Sequence, residues 1–275
     1  MSATKPTYPP IAVNAMISAM NKHGITNPYL QTGILGTVGK ETGFVLRPEV
    51  GYGNTSNSRI RSIFKNRVAD LSEDALTSLK KNDVAFFEKV YGMQTKIGKD
   101  LGNTQYGDGY KYRGRGFNGL TGRGQYKSYG AQMGLDLVGN PDLLNQIPIA
   151  AEYTVLYYQN NFSHAEKNGN MKSSIGVDKA SDVKNIAQGI KIAVQATGGW
   201  WGKDLTEDFR AENLKRATEA ANTILQEAAN YTMKAVDTVK KNPGTTIAIL
   251  FFFGAATIAY IKRGNIKQFF KKHAL

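Results

Sequence analysis

A chain of 275 residues, 41% of them hydrophobic, is long enough to bury a sizeable core in one large domain or two small ones. Its net charge of +13 favours a polyanionic target: nucleic acid, a bacterial envelope with acidic polymers, or an anionic lipid surface. The absence of cysteine excludes disulfides and thiolate metal sites, and His23, His164 and His273 lie far apart without ligand spacing, so no metal or other cofactor is expected.

The opening MSATKPTYPP lacks the apolar run that a secretory signal peptide requires, so export by that route is not expected. Apolar spacing predicts a helix from Ile11 to about Lys22, stopped by Gly24. Asn27 and Pro28 then supply an N-cap and a first helical residue for a second helix. Leu30, Ile34 and Val38 recur at i, i+4 and i+8 along it, and Glu41 continues that face at the helix end. Further helices are predicted over 58–65, 73–80, 84–91 and 148–160, with loops rich in Gly, Asn and Asp between them and few strand signals.

Between these helices, residues 107–126 read GDGYKYRGRGFNGLTGRGQY, a crowding of glycine, aromatic and arginine residues suited to the wall of a binding groove. Glycine lets backbone approach a ligand and adopt positive φ, the tyrosines offer flat faces with polar rims, and the arginines are donor forks. A Walker-type Gly-Lys-Thr/Ser is missing, and the stretch does not sit between a strand and a helix, which speaks against phosphate or dinucleotide binding.

Towards the C-terminus, residues from Glu207 to about Lys240 are rich in Ala, Glu and Lys and predict a helix that runs into a stalk. Residues 242–261 then carry no charge and include ILFFFGAATIAYI. At about 1.5 Å per residue this run spans about 30 Å, the thickness of a bilayer's hydrocarbon core, and it predicts a transmembrane helix. Lys262, Arg263, Lys267, Lys271 and Lys272 follow, against Lys234, Lys240 and Lys241 before it. That asymmetry favours a cytoplasmic tail and an outward-facing domain.

Taken together, KETGF, RPEVGYGNTSNSRIRSIFKNR, FFEKVYG, LGN, GDGYKYRGRGFNGLTGRGQY, NPDLL with IPIAAEYTVLYY, and ATGGWWG resemble, in order over about residues 10–220, glycoside hydrolase family 19. This is the chitinase-like group that includes many phage endolysins. The resemblance implies a mainly α, lysozyme-like catalytic domain over 1–220, joined to a helical stalk (221–241), the transmembrane helix (242–261) and a basic tail (262–275). It also implies a β-1,4-linked amino-sugar polymer as substrate. Peptidoglycan is favoured over chitin by the basic, cysteine-free, membrane-tethered construction, which suits a phage-derived enzyme anchored in a host inner membrane or a virion membrane. The expected partners are peptidoglycan glycan strands and a lipid bilayer; a nucleic acid is not expected.

Glycoside hydrolysis ordinarily takes two carboxyls, one donating a proton and one activating water. Glu41, at a helix C-terminus on an apolar stripe, has the setting that favours a neutral proton donor. Glu49, after Pro48 and before a Gly- and Asn-rich loop, has the solvated setting of a general base. The resemblance implies the same roles, although one residue fewer separates the pair than in many phage relatives. It further implies a hydroxyl to hold the attacking water, supplied by Thr121 or, as the alternative, Thr55.

Substrate contacts are expected from Tyr112, Arg115, Asn118, Gln125, Tyr126 and Trp200. Gln125 stands where the family has Asn, and Gly119 stands at its usual Gln. Arg113 and Arg115 have a second reading as partners of buried acids such as Asp108. Two other functions fit the same motifs: a lytic transglycosylase using Glu41 alone, and a catalytically dead, membrane-anchored wall-binding protein.

Overall fold

The computed structural model describes residues 8–46, 48–198 and 207–241. Arg47, Trp200, Trp201, the uncharged run 242–261 and the basic tail lie outside the described residues. In chain order the helices are α1 (Pro10–Lys22), α2 (Pro28–Thr42), α3 (Asn57–Phe64), α4 (Glu73–Leu79), α5 (Asp83–Tyr91), α6 (Lys96–Asp100), α7 (Asp108–Lys111), α8 (Arg123–Met133), α9 (Ile147–Lys167), α10 (Asn170–Ile175), α11 (Ile186–Gly198) and α12 (Glu207–Lys241). Among the described residues the only extended pairing is an isolated bridge between Arg115 and Leu120. The chain is mainly helical, and no described helix is long and apolar enough to cross a membrane.

The chain divides into two compact units. The first joins the residues up to Val45 with those from Thr154 onward, and the second comprises Leu46–Tyr153. A break of this kind leaves no compositional mark, because each side continues in the same helix-and-loop vocabulary.

The first unit is organised on α2. Asn27 accepts from the backbone N–H groups of Tyr29 (2.9 Å) and Leu30 (3.2 Å), and Pro28 opens the helix without losing a needed donor. The cap is tied further into the unit, since Asn27 Nδ2 donates to the carbonyls of Ser181 and Val183. Gly43 ends the helix with φ 60°. Leu30, Ile34 and Val38 are buried as the stripe predicts, each contributing about 1.5–3 kcal/mol of apolar burial.

Two glycines let neighbouring helices reach the α2 backbone. A Cβ on Gly33 would lie 2.1 Å from the carbonyl oxygen of Gly189 in α11, and one on Gly36 2.5 Å from that of Ala217 in α12. Around these contacts Ile186, Ile190, Val194, Ala217 and Ala221 form a core. The sequence reading passed over α11, whose partner in packing is remote in the chain.

The second unit has its own core of Ile60, Phe64, Val68, Leu76, Phe86, Phe87 and Val90, drawn from α3, α5 and the segment between them. Tyr52, Tyr91 and Tyr110 pack against it. The helices expected over 58–65, 73–80 and 84–91 are present to within a residue or so, whereas α9 extends seven residues past the expected end at 160.

Candidate active site

Glu49 lies in the second unit, half-buried and held by the Gly-rich segment. Its backbone N–H donates to the Gly114 carbonyl at 2.8 Å, and its carbonyl accepts from Arg113 Nε at 2.9 Å. One carboxylate oxygen, Oε1, accepts from the Tyr52 hydroxyl at 2.9 Å; the other, Oε2, has a longer contact of 3.4 Å with the Gly114 N–H. Both nearby phenols stay protonated: burial, and then the charge of Glu49, push the hydroxyls of Tyr52 and Tyr91 up. They therefore face the carboxylate as donors.

Gly114 is where Glu49 and Thr121 converge. A Cβ built there would lie 3.5 Å from Glu49 Oε2 and 3.6 Å from Thr121 Oγ1, so the missing side chain leaves a small gap bordered by a carboxylate and a hydroxyl. Thr121 Oγ1 donates to the Gly119 carbonyl at 2.8 Å and keeps lone pairs free to accept. Thr55, the alternative, closes the Tyr52–Thr55 turn with its N–H, and its carbonyl accepts from Lys80 Nζ at 2.7 Å.

The Gly-rich segment earns its shape from hydrogen bonds and glycine. Arg115 and Leu120 exchange two backbone bonds, and Gly116 (φ 72°) and Gly119 (φ 65°) take the positive φ that the tight loop needs. Within this frame three expected sugar contacts turn out to be interior, which is a correction to the sequence reading. Tyr112 and Tyr126 have no exposed surface, and Arg115 is 2% exposed. A sugar has no access to such side chains.

Their polar atoms are spent on the protein. Arg115 donates through Nε to Asp142 (2.8 Å) and through Nη1 to the Lys111 carbonyl and the Tyr126 hydroxyl. The Tyr126 hydroxyl in turn donates to the Arg113 carbonyl at 2.9 Å, and burial pushes it up to about 12. Asp108 pairs with Arg123 rather than with Arg113 or Arg115, through contacts of 2.8 and 2.6 Å. Asn118 is half-buried, with Nδ2 covered and unpartnered within the protein, and Gln125 is exposed at the start of α8. Trp200 lies outside the described residues.

Glu41 belongs to the first unit, and its surroundings differ from the expected apolar face. Its side chain is 44% exposed, and its carboxylate pairs with the ammonium of Lys40, whose own side chain is 2% exposed. Lys40 Nζ also donates to Asn213 Oδ1 at 2.7 Å. The physical reason is helix length: burial in α2 is continuous from Leu30 to Gly39, and the last turn runs beyond the covered stretch. A groove of about 630 Å³ opens there, lined by Tyr8, Gly39, Lys40, Gly43, Arg216 and Thr223. Glu41 still lies within electrostatic reach of buried Tyr158, whose hydroxyl is raised by burial first and by the charges of Tyr157 and Glu41.

The residues the sequence reading missed are Tyr52 and Tyr91. Tyr52 stands three positions after Glu49 in a Gly-Tyr-Gly triplet, a signal of proximity but not of direction. Among the described residues no group of three or more His, Asp and Glu side chains is arranged to hold a metal ion.

No protein-family model matches the sequence, and no curated protein is similar to it. Among solved structures, chitinase C from Streptomyces griseus HUT6037 is similar at 16% identity and a TM-score of 0.39, over 80% of this chain and 70% of that one. A mutant of chitinase C gives the same values.

Proposed function

We propose that this protein is a peptidoglycan-degrading glycoside hydrolase of the lysozyme-like kind, in which Glu49 activates water and Glu41 protonates the leaving oxygen. The observation that carries the reading is the setting of Glu49. One carboxylate oxygen is tied by Tyr52, and the other stands beside a glycine gap that Thr121 Oγ1 also borders. A carboxylate with one more loosely held oxygen and a neighbouring hydroxyl is what holding and deprotonating a water requires. Inversion at the anomeric carbon follows from a base that acts through water.

Attachment to a membrane through residues 242–261, with the catalytic part towards the cell wall, belongs to the same proposal and rests on the length and flanking charges of that run. So does an origin in a bacteriophage. The test is digestion of purified peptidoglycan by the full chain in detergent, followed by mass analysis of the products. Reducing-end muropeptides are expected from the wild type and not from Glu49→Gln. Products with 1,6-anhydro ends would establish a transglycosylase instead, and sedimentation of the chain with insoluble peptidoglycan without any products would favour a binding protein.

A further inference from the structure

Glu49 is gripped from three directions, and each grip leaves a different atom. The Gly114 carbonyl and Arg113 Nε fix its main chain, at 2.8 and 2.9 Å. Tyr52 fixes Oε1 at 2.9 Å. Oε2 has the longer, 3.4 Å contact from the Gly114 N–H. Rotation of the carboxylate would exchange the two oxygens, and the bond from the Tyr52 hydroxyl, shorter than that from Gly114, resists it.

Tyr52 is itself immobilised. Its ring lies 4.9 Å edge-on from Phe64, 5.1 Å from Phe86 and 6.1 Å from Phe87, so three core aromatics from α3 and α5 determine where the hydroxyl points. Behind this cluster the Arg67 guanidinium sits 5.3 Å over both the Phe64 and Tyr91 rings, which adds a cation to the packing that holds the phenols in place. The hydroxyl is thus a fixed donor on a rigid support, which is how a reacting group is kept in productive geometry.

We propose that Tyr52 is a positioning residue for the general base: its hydroxyl holds Oε1 so that Oε2 remains turned towards Gly114 and Thr121, where the attacking water is received. This inference rests on the reading of Glu49 as the base. Tyr52 acts on the water only through Glu49, and it touches neither substrate nor reacting atoms.

The experiment is a double-mutant cycle on the full chain with Tyr52→Phe, Glu49→Gln and the double variant, assayed on soluble peptidoglycan fragments. Tyr52→Phe keeps the ring and removes the hydroxyl, and a loss of about ten- to a hundredfold in kcat with KM unchanged is expected. In the Glu49→Gln background the same change is expected to cost nothing further, because residues that act as one unit are non-additive. Phe64→Leu loosens the same aromatic cluster while keeping the hydroxyl; it is expected to lower the melting temperature and to cost clearly less kcat than Tyr52→Phe. If Glu49→Gln is inactive while Tyr52→Phe turns over like the wild type, the positioning role is overturned and Glu49 stands. Equal losses for Tyr52→Phe in both backgrounds, or an equal kcat loss in Phe64→Leu, would overturn it in favour of plain packing. Full activity in Glu49→Gln would overturn the base and the positioning role together.

Discussion

Glu49 and Gly114 hold each other twice: the Glu49 N–H donates to the Gly114 carbonyl at 2.8 Å, and the Gly114 N–H reaches back to Glu49 Oε2 at 3.4 Å. The pairing joins two segments 65 residues apart and leaves the carboxylate beside a position that has no side chain. The absence of a Cβ at Gly114 is therefore part of the site and not only of the loop.

Gly114→Ala separates fold from function. Its added methyl meets nothing closer than 3.5 Å, and Gly114 is not among the glycines at positive φ, so the fold accommodates it. A stability change of zero to about +1 kcal/mol is expected from the lower entropy of the unfolded chain. Turnover is expected to fall, because the methyl fills the gap between Glu49 Oε2 and Thr121 Oγ1. Urea unfolding and a peptidoglycan assay on the same preparation check both halves.

Replacing either carboxyl by its amide keeps shape and removes the proton chemistry. For Glu41→Gln and Glu49→Gln, each tested singly, kcat is expected to fall by about 10²–10⁴-fold, the usual worth of a general acid or base. Their folds should be retained by circular dichroism, since both side chains keep contact with solvent. Activity retained in one variant alone would assign the chemistry to the other.

The Asp108–Arg123 pair is expected to govern acid stability. Burial acts to raise the Asp108 carboxyl, but Arg123 and the N–H groups of Thr104 and Gln105 outweigh it, and the carboxyl titrates below its ordinary value. The unfolded carboxyl titrates near 3.9, so this contribution is present in full above roughly pH 5 and is lost as pH falls through the lower folded value. Asp108→Asn should cost about 2–3 kcal/mol at neutral pH, less than breaking a wholly buried pair because Arg123 keeps some contact with water. It should also flatten the acid limb of the stability profile. Urea midpoints at pH 7 and pH 3 measure both.

Tyr126 sets the alkaline side. Its hydroxyl is pushed up to about 12, first by burial, against an unfolded value near 10. Its contribution is intact below about pH 10 and is lost as pH rises through the folded value. Tyr126→Phe removes the bond to the Arg113 carbonyl and takes from Arg115 Nη1 one of its three acceptors. A loss of about 1–3 kcal/mol is expected, with a weaker decline of stability above pH 10, read by thermal melts across that range.

Residues 242–275 are expected to decide where the protein resides. The full chain should float with liposomes in a density gradient and a chain ending at Lys241 should remain in the soluble fraction, since the uncharged run is long enough to span a bilayer. Recovery of the full chain without lipid would remove the membrane from the proposal.

What the sequence by itself determined is local. Asn27, Pro28 and Gly43 mark the ends of α2 because a cap and a left-handed stop are chemistry of neighbouring residues, and the spacing of Leu30, Ile34 and Val38 marks its buried face for the same reason. Glu41 and Glu49 were legible as candidates from their motifs, and Thr121 from its place in the Gly-rich segment. Only the tertiary structure decided which of these side chains meet water. Glu41 is exposed because α2 outruns its cover, and Tyr112, Arg115 and Tyr126 are interior because Asp142, Val138 and the loop's own carbonyls come round to satisfy them. Tyr52 became part of the site because Phe64, Phe86 and Phe87 close around its ring. Burial and orientation depend on partners tens of residues away, and a chain's spacing carries no record of them until it has folded.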